Sequence, residues 1–142
     1  MRKLLPSLVI LMLVPAVFLL SACTIGDGTF RAMDVTLKSL SEITGVTQNV
    51  TEVGNGFTTL QGRYHYRCFT FANNSDRDAA ANRYREYLDE EGFQTMQPQL
   101  FSITHSTTLE LDLIRMYGAN TAFVGVDTSF NNKLYIILVV NP

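Results

Sequence analysis

The last third of the chain constrains its fold most, because it holds three strand-like runs separated by turns of only a few residues. Thr107 to Met116 alternates Leu109, Leu111 and Leu113 with Glu110 and Asp112, as a strand with one wet face does. Tyr117-Gly118-Ala119-Asn120 turns, Thr121 to Ser129 returns, and Asn131-Asn132 turns again into Lys133 to Val140. Connections this short join antiparallel neighbours, since a parallel pair needs a crossover of a dozen or more residues. The spacing therefore predicts a meander. Its last run, Leu134-Tyr135-Ile136-Ile137-Leu138-Val139-Val140, is apolar at every position, so that strand is either covered on both sides or left with an exposed apolar face.

Upstream the hydrophobic period changes. Asp76 to Glu91 sets Ala80, Tyr84, Tyr87 and Leu88 on one helical face, with Ser75 as its cap and Asp76 and Asp78 suited to the positive end of its dipole. Glu91-Gly92-Phe93 reads as the stop, Gly92 turning left-handed and Phe93 folding back on the last turn. Phe30 to Thr44 spaces Phe30, Met33, Leu37 and Leu40 by three and four, which predicts a second amphipathic helix ending at Gly45. Between the two helices, Gly54-Asn55-Gly56 is a hairpin-turn signal, and Gln61-Gly62 bulges or turns the chain before a strand from Arg63 to Ala72. After Phe93 an extended segment leads to Pro98. The sum is an α+β fold, a mostly antiparallel sheet of about four to six strands with two helices packed on one face. It forms a single domain over residues 30–142.

The first residues divide as an export signal does: a basic start at Arg2 and Lys3, an apolar run from Leu4 to Leu20, and small residues before Cys23. An uncleaved transmembrane anchor is the competing reading. The run falls short of the roughly 20 apolar residues that span a bilayer, carries Pro6 and Pro15, and has no basic cluster after it. Leu20-Ser21-Ala22-Cys23 resembles the lipobox of bacterial lipoproteins. That resemblance covers only this segment. It implies that residues 1–22 are a cleaved lipoprotein signal peptide and that Cys23, coupled to lipid, becomes the N-terminus. It further implies an extracytoplasmic, lipid-anchored location at a cell membrane, held firmly because two or more acyl chains anchor stably where one holds only marginally. Position 24 is Thr and not Asp, for which the resemblance implies the outer membrane where a cell has two. Residues 23–29, with Gly26 and Gly28, then form a short tether.

Cleavage would leave about 120 residues, enough for one compact domain with a real core. Arg2 and Lys3 depart with the signal, so a formal charge of −2 becomes more negative and no Lys/Arg run survives. Nucleic-acid binding and adhesion to anionic lipid by net charge are thereby disfavoured. With Cys23 committed to lipid, Cys68 is the one remaining thiol, which favours a small buried hydrophobe over a reactive group.

Catalytic and metal-binding patterns are sparse. The histidines are His65 and His105, and His65 and Cys68, three apart on a strand, point to opposite faces. Gly-x-Ser-x-Gly, Ser-x-x-Lys, phosphate-binding glycine loops and spaced Cys/His pairs are not found. The expectation is a non-enzymatic chain with no cofactor and no metal.

A surface is the remaining candidate. The strand from Arg63 carries Arg63, His65, Arg67, Phe69 and Phe71 on one face, and arginine and aromatic rings are residue types that dominate binding hot spots. The competing reading lays a helix over Phe69 and Phe71 with the arginine stems draped on the edge. A sheet face left bare of helices would show Glu110, Asp112, Phe123 and Asp127 with Tyr135, Ile137 and Val139, a place for a protein partner or a second copy. The expected role is a binding or cell-envelope interaction module that touches the membrane through its anchor. Two alternatives remain: a small-molecule sensor with a pocket lined by Tyr84, Tyr87 and Phe93, and a minor envelope enzyme using His65 or His105.

Overall fold

A computed structural model describes residues 27–142; the signal segment 1–22, Cys23 and Thr24 to Gly26 lie outside the described residues. The elements are β1 (Phe30–Ala32), β2 (Val35–Leu37), α1 (Leu40–Thr44), β3 (Val50–Phe57), β4 (Arg63–Thr70), α2 (Asn74–Glu90), β5 (Gln94–Ser102), β6 (Thr108–Tyr117), β7 (Asn120–Asp127) and β8 (Lys133–Asn141). β1 and β2 form a two-stranded hairpin, and the other six strands form one antiparallel sheet in the order β3-β4-β8-β7-β6-β5. The fold is therefore α+β with a mostly antiparallel sheet, and both helices lie on one face of it.

β8 explains its own composition. It pairs with β4 on one side and β7 on the other, and every residue from Leu134 to Val140 is buried. Leu134, Ile136, Leu138 and Val140 face the helices, where Phe30, Phe69, Tyr84 and Leu88 complete the main core. Tyr135, Ile137 and Val139 face the other way, into a second cluster with Tyr66, Cys68, Leu109 and Leu111.

That second cluster corrects the bare sheet face. The far half of the β5–β6 hairpin folds back over it: Phe101 of β5 meets Tyr64 of β4 edge to face at 5.1 Å, although β8, β7 and β6 separate those strands in the sheet. Tyr135, Ile137 and Val139 are consequently covered by the chain itself, with Phe130 packing on Tyr135 at 5.1 Å. The bend sits near Asp112. Leu109 and Leu111 belong to the second cluster while Leu113, next along the same face of the strand, belongs to the main core, so β6 twists between them, and the β5–β6 register shifts between Thr95 and Gln99. Arg85 of α2 braces the bend through Asp112 at 2.9 Å and the Val126 carbonyl at 2.6 Å. Gly125 makes room for it, because a β-carbon there would drive into the Glu110 carbonyl oxygen and press on Ile137 at 3.0 Å.

The segment Phe30 to Thr44 is not one helix. Up to Leu37 its buried residues are Phe30, Ala32, Val35 and Leu37, a period of two on either side of a turn at Met33-Asp34, where Met33 takes φ 52°. Cross-strand pairing of these apolar residues outweighs the helical spacing, and only Leu40–Thr44 coils. Ser39 caps it, and Gly45 ends it in the left-handed region, as expected.

Gly54-Asn55-Gly56 lies inside β3; the turn comes later, at Thr58 to Gly62, with Gln61 at φ 63°. The glycines have a packing reason instead: the rings of Tyr66 and Tyr64 lie where their β-carbons would be. On α2 the cap is Asn73, whose side-chain oxygen accepts from the Asp76 amide at 2.8 Å, in place of Ser75. The stop is as read, with Gly92 at φ 92° and the Phe93 amide donating to the Leu88 carbonyl at 3.0 Å.

The chain's entry differs as well. Asp27 to Thr29, expected in the tether, are part of the domain. The Asp27 carboxylate is 1% exposed, pairs with Arg67 at 3.0 Å and accepts from the Ser41 amide of α1 at 2.6 Å. Arg67 also donates to the carbonyls of Gly28 and Thr29 and lies over the Phe30 ring at 4.6 Å.

Candidate functional site

The alternation of β4 sends Arg63, His65, Arg67 and Phe69 to the helix side of the sheet, yet the layer above covers them unequally. α1, α2 and the Asp27–Phe30 segment bury Phe69 and Arg67. They stop short of the other end of β4. There Arg63 is exposed and His65 half-buried, opposite Phe57 and Asn55 of the edge strand β3. The β1–β2 hairpin forms the facing wall, with Arg31 pointing outward between buried Phe30 and Ala32. A groove of about 510 Å³ results, lined by Arg31, Asn55, Phe57, Arg63, Tyr64 and His65 together with the Ala32–Met33 turn and Gly56.

Two guanidinium groups and an imidazole thus share one groove, and none of its lining residues is acidic. Arg63 lies over the Phe57 ring with 4.7 Å to its centroid, which orients the guanidinium while leaving its edge free. His65 sits 5.3 Å from the Phe30 ring, and burial, with the Arg67 charge behind it, holds its pKa below the ordinary imidazole value. At neutral pH it is an uncharged ring whose one N–H is turned to the Arg31 backbone, so the anion-binding donors of the groove are the two guanidiniums. Such a set suits anionic groups presented to hydrogen-bond donors beside an aromatic wall.

The five-residue surface read from the sequence is therefore divided. Arg63 and His65 come together in the groove. Arg67 is spent on Asp27 and two carbonyls, Phe69 is 0% exposed, and Phe71 packs half-buried against the main core, so these three are corrected from surface to structure. The Asp27–Phe30 segment is the cause, since it lies over the strand where a solvent face was expected. Arg31, Asn55 and Phe57 were missed. Arg31 had been placed on a helix and Asn55 in a turn; only the period-two pattern Phe30/Ala32 signals that Arg31 points out.

The other candidates resolve by geometry. Tyr84, Tyr87 and Phe93 are buried core, with the Tyr84 hydroxyl donating to the Lys38 carbonyl at 2.8 Å and the Tyr87 hydroxyl accepting from the Lys38 amide at 2.9 Å; of the three only Tyr87 borders a cavity, one of about 200 Å³ lined also by Lys38, Glu42, Arg83 and Glu86. His65 and Cys68 lie on opposite faces of the sheet. Burial raises the Cys68 thiol pKa. His105 is exposed in the β5–β6 loop. Glu52 accepts from Tyr66 at 2.9 Å and from Tyr135 at 3.3 Å at the margin of the second cluster; burial first, then Glu52, pushes the Tyr66 pKa up to about 12. Among the described residues no cluster of three His, Cys, Asp or Glu side chains could hold a metal, and no helix is long and apolar enough to cross a membrane. No family model matches the chain, and no curated protein is significantly similar to it.

Proposed function

We propose that this protein is a binding module carried on a lipid anchor at the extracytoplasmic face of a bacterial membrane, the outer one where the cell has two. The anchor is Cys23, on the resemblance of Leu20-Ser21-Ala22-Cys23 to a lipobox. The binding site is the groove between β1–β2 and β3–β4, and its ligand is anionic. The observation that carries this is the convergence of Arg31 and Arg63 on about 510 Å³ with no carboxylate among the lining residues. No catalytic role is assigned to His65, whose neighbours are arginines and aromatic rings with no nucleophile among them. The sheet face of Tyr135, Ile137 and Val139 is covered by the β5–β6 hairpin, which leaves the groove as the interaction surface of this reading.

Two measurements test the reading separately. Metabolic labelling with a clickable fatty acid should mark the wild-type chain and not Cys23→Ser; an unlabelled wild type refutes the anchor. Calorimetric titration with inorganic phosphate, glycerol phosphate and glucuronate should show binding that weakens about tenfold for each of Arg31→Ala and Arg63→Ala, as loss of a hydrogen bond to a charged group does. Affinities unchanged by both substitutions refute the groove.

A further inference from the structure

The groove has a rim whose chemistry differs from its floor. Six large apolar side chains are well exposed among the described residues, and three of them, Val53, Phe57 and Leu60, belong to the β3–β4 hairpin. Phe57 is 72% exposed and Leu60 65%. Beside them stand Arg63, stacked on Phe57, and Arg31 across the groove. An aromatic ring and a leucine at a hairpin tip, flanked by arginines, is the composition of a surface that meets a lipid interface: rings enter the headgroup region while guanidiniums take phosphates.

The chain's entry adds a distance. Asp27 is fixed in the domain by its buried pair with Arg67 and its bond to Ser41. Cys23 is four residues away, a reach of at most about 14 Å even fully extended. Arg31 lies four residues on the other side of Asp27, a chain span of at most about 13 Å. A bilayer holding acyl chains on Cys23 is thus no more than about 27 Å of chain from Arg31, which is within about one domain diameter. Net negative charge does not oppose this contact, because fields beyond about 8–10 Å are screened and the groove's lining carries arginines and no acid.

We infer that the rim of the groove docks on the bilayer, with Phe57 and Leu60 entering the interface and Arg31 and Arg63 binding lipid phosphates. This rests on the anchored-module reading and names the anionic ligand of its groove as the lipid headgroup.

The chain contains no tryptophan, so one introduced by substitution reports alone. Phe57→Trp reads the rim, and Val46→Trp, at an exposed site following α1, reads a control position. Each protein, as isolated from cell membranes, is mixed with anionic vesicles carrying brominated acyl chains. Docking predicts a blue-shifted, quenched emission for Phe57→Trp and an unshifted one for Val46→Trp. Adding Arg31→Ala or Arg63→Ala should lower the ratio of docked to undocked domain about fivefold for each arginine removed. A vesicle-bound protein whose Phe57→Trp emission stays unshifted and unquenched overturns the inference. So does a shift produced by free glycerol phosphate without vesicles and not by lipid, which assigns the groove to a soluble ligand, or a concentration-dependent shift without lipid, which assigns the rim to a second copy. Mass spectrometry of the Cys23 peptide in the same samples reads the anchor independently. If its diacylglycerol is missing, the anchor reading fails, and quenching by the added vesicles still decides the rim.

Discussion

Replacing Asp27 by alanine removes the post that ties the chain's entry to the fold. Its carboxylate is 1% exposed, 3.0 Å from Arg67 and 2.6 Å from the amide of Ser41. Without it, a buried guanidinium keeps only the carbonyls of Gly28 and Thr29 and the face of Phe30, and the first turn of α1 loses a bonded amide. Breaking one partner out of a buried pair costs about 3–5 kcal/mol. The two carbonyls that remain place the expected loss at the lower end, about 3 kcal/mol, a large part of the 5–15 kcal/mol that holds a typical domain. Asp27→Asn keeps the acceptor for Ser41 and should cost less, about 2 kcal/mol. Arg67→Met in the Asp27→Ala background removes the stranded charge and should recover part of the loss, so the double-mutant cycle should show about 1–2 kcal/mol of coupling. Urea denaturation measures the cycle, and hydrogen exchange at Phe30 to Ala32 reports whether β1 loosens ahead of the sheet. Additive single changes, or a loss below about 1 kcal/mol with β1 amides still protected, would refute the lock.

Three further outcomes follow from the same contacts. Gly125→Ala should destabilise by about 2–3 kcal/mol, because the new methyl meets the Glu110 backbone and not a side chain able to move; a change within about 0.5 kcal/mol would mean that β6 does not cross there. His65 has a lowered pKa when folded, so between the ordinary imidazole value and that lower one the unfolded chain holds a proton the folded one lacks. Stability should accordingly fall as pH drops below about 6.5 and fall less in His65→Gln; parallel pH profiles for the two proteins would contradict this. Glu52→Gln should bring the Tyr66 pKa down from about 12 and leave it above the ordinary tyrosine value, since burial is its first cause; an unchanged ultraviolet titration would remove Glu52 from the account.

The meander of β6, β7 and β8 was legible because its turns are short and carry their own residues, Gly118 and Asn132 at positive φ among them. Helix α2 was legible because its apolar face and its Gly92 stop agree. The N-terminal segment misled for a physical reason: Phe30, Met33, Leu37 and Leu40 satisfy a helical period while Phe30, Ala32, Val35 and Leu37 satisfy a strand period with one turn. Local pattern does not decide between them; the contacts of Phe30 with Arg67, His65 and Tyr84 do, and these are tertiary. The same holds at the far sheet face. Nothing local says that Phe101 will travel across three strands to Tyr64, since the bend near Asp112 depends on Gly125, Arg85 and the Glu110 amide's bond to Asp127. Arg63 and His65 could be named in advance because β4 alternates cleanly. Arg31 and Phe57 could not, because each belongs to a segment whose period was misread.

One segment consequently serves two ends of the molecule. Asp27 to Leu37 is both the segment that follows the proposed anchor and the wall that makes the groove a groove. Its Phe30 touches Arg67, His65 and Tyr84 at once, so the rotamer of His65 in the groove depends on how Asp27 is seated. A tether that attached through a flexible linker would leave the orientation of the binding surface free. Here the linker left between Cys23 and the locked Asp27 is Thr24-Ile25-Gly26 alone. With the proposed anchor on Cys23, so short a linker allows little standoff and keeps the rim at a high effective concentration next to the bilayer. Lengthening the linker should thus weaken docking of the rim while leaving the groove's affinity for soluble anions intact, because the Asp27 lock insulates the wall from whatever precedes it.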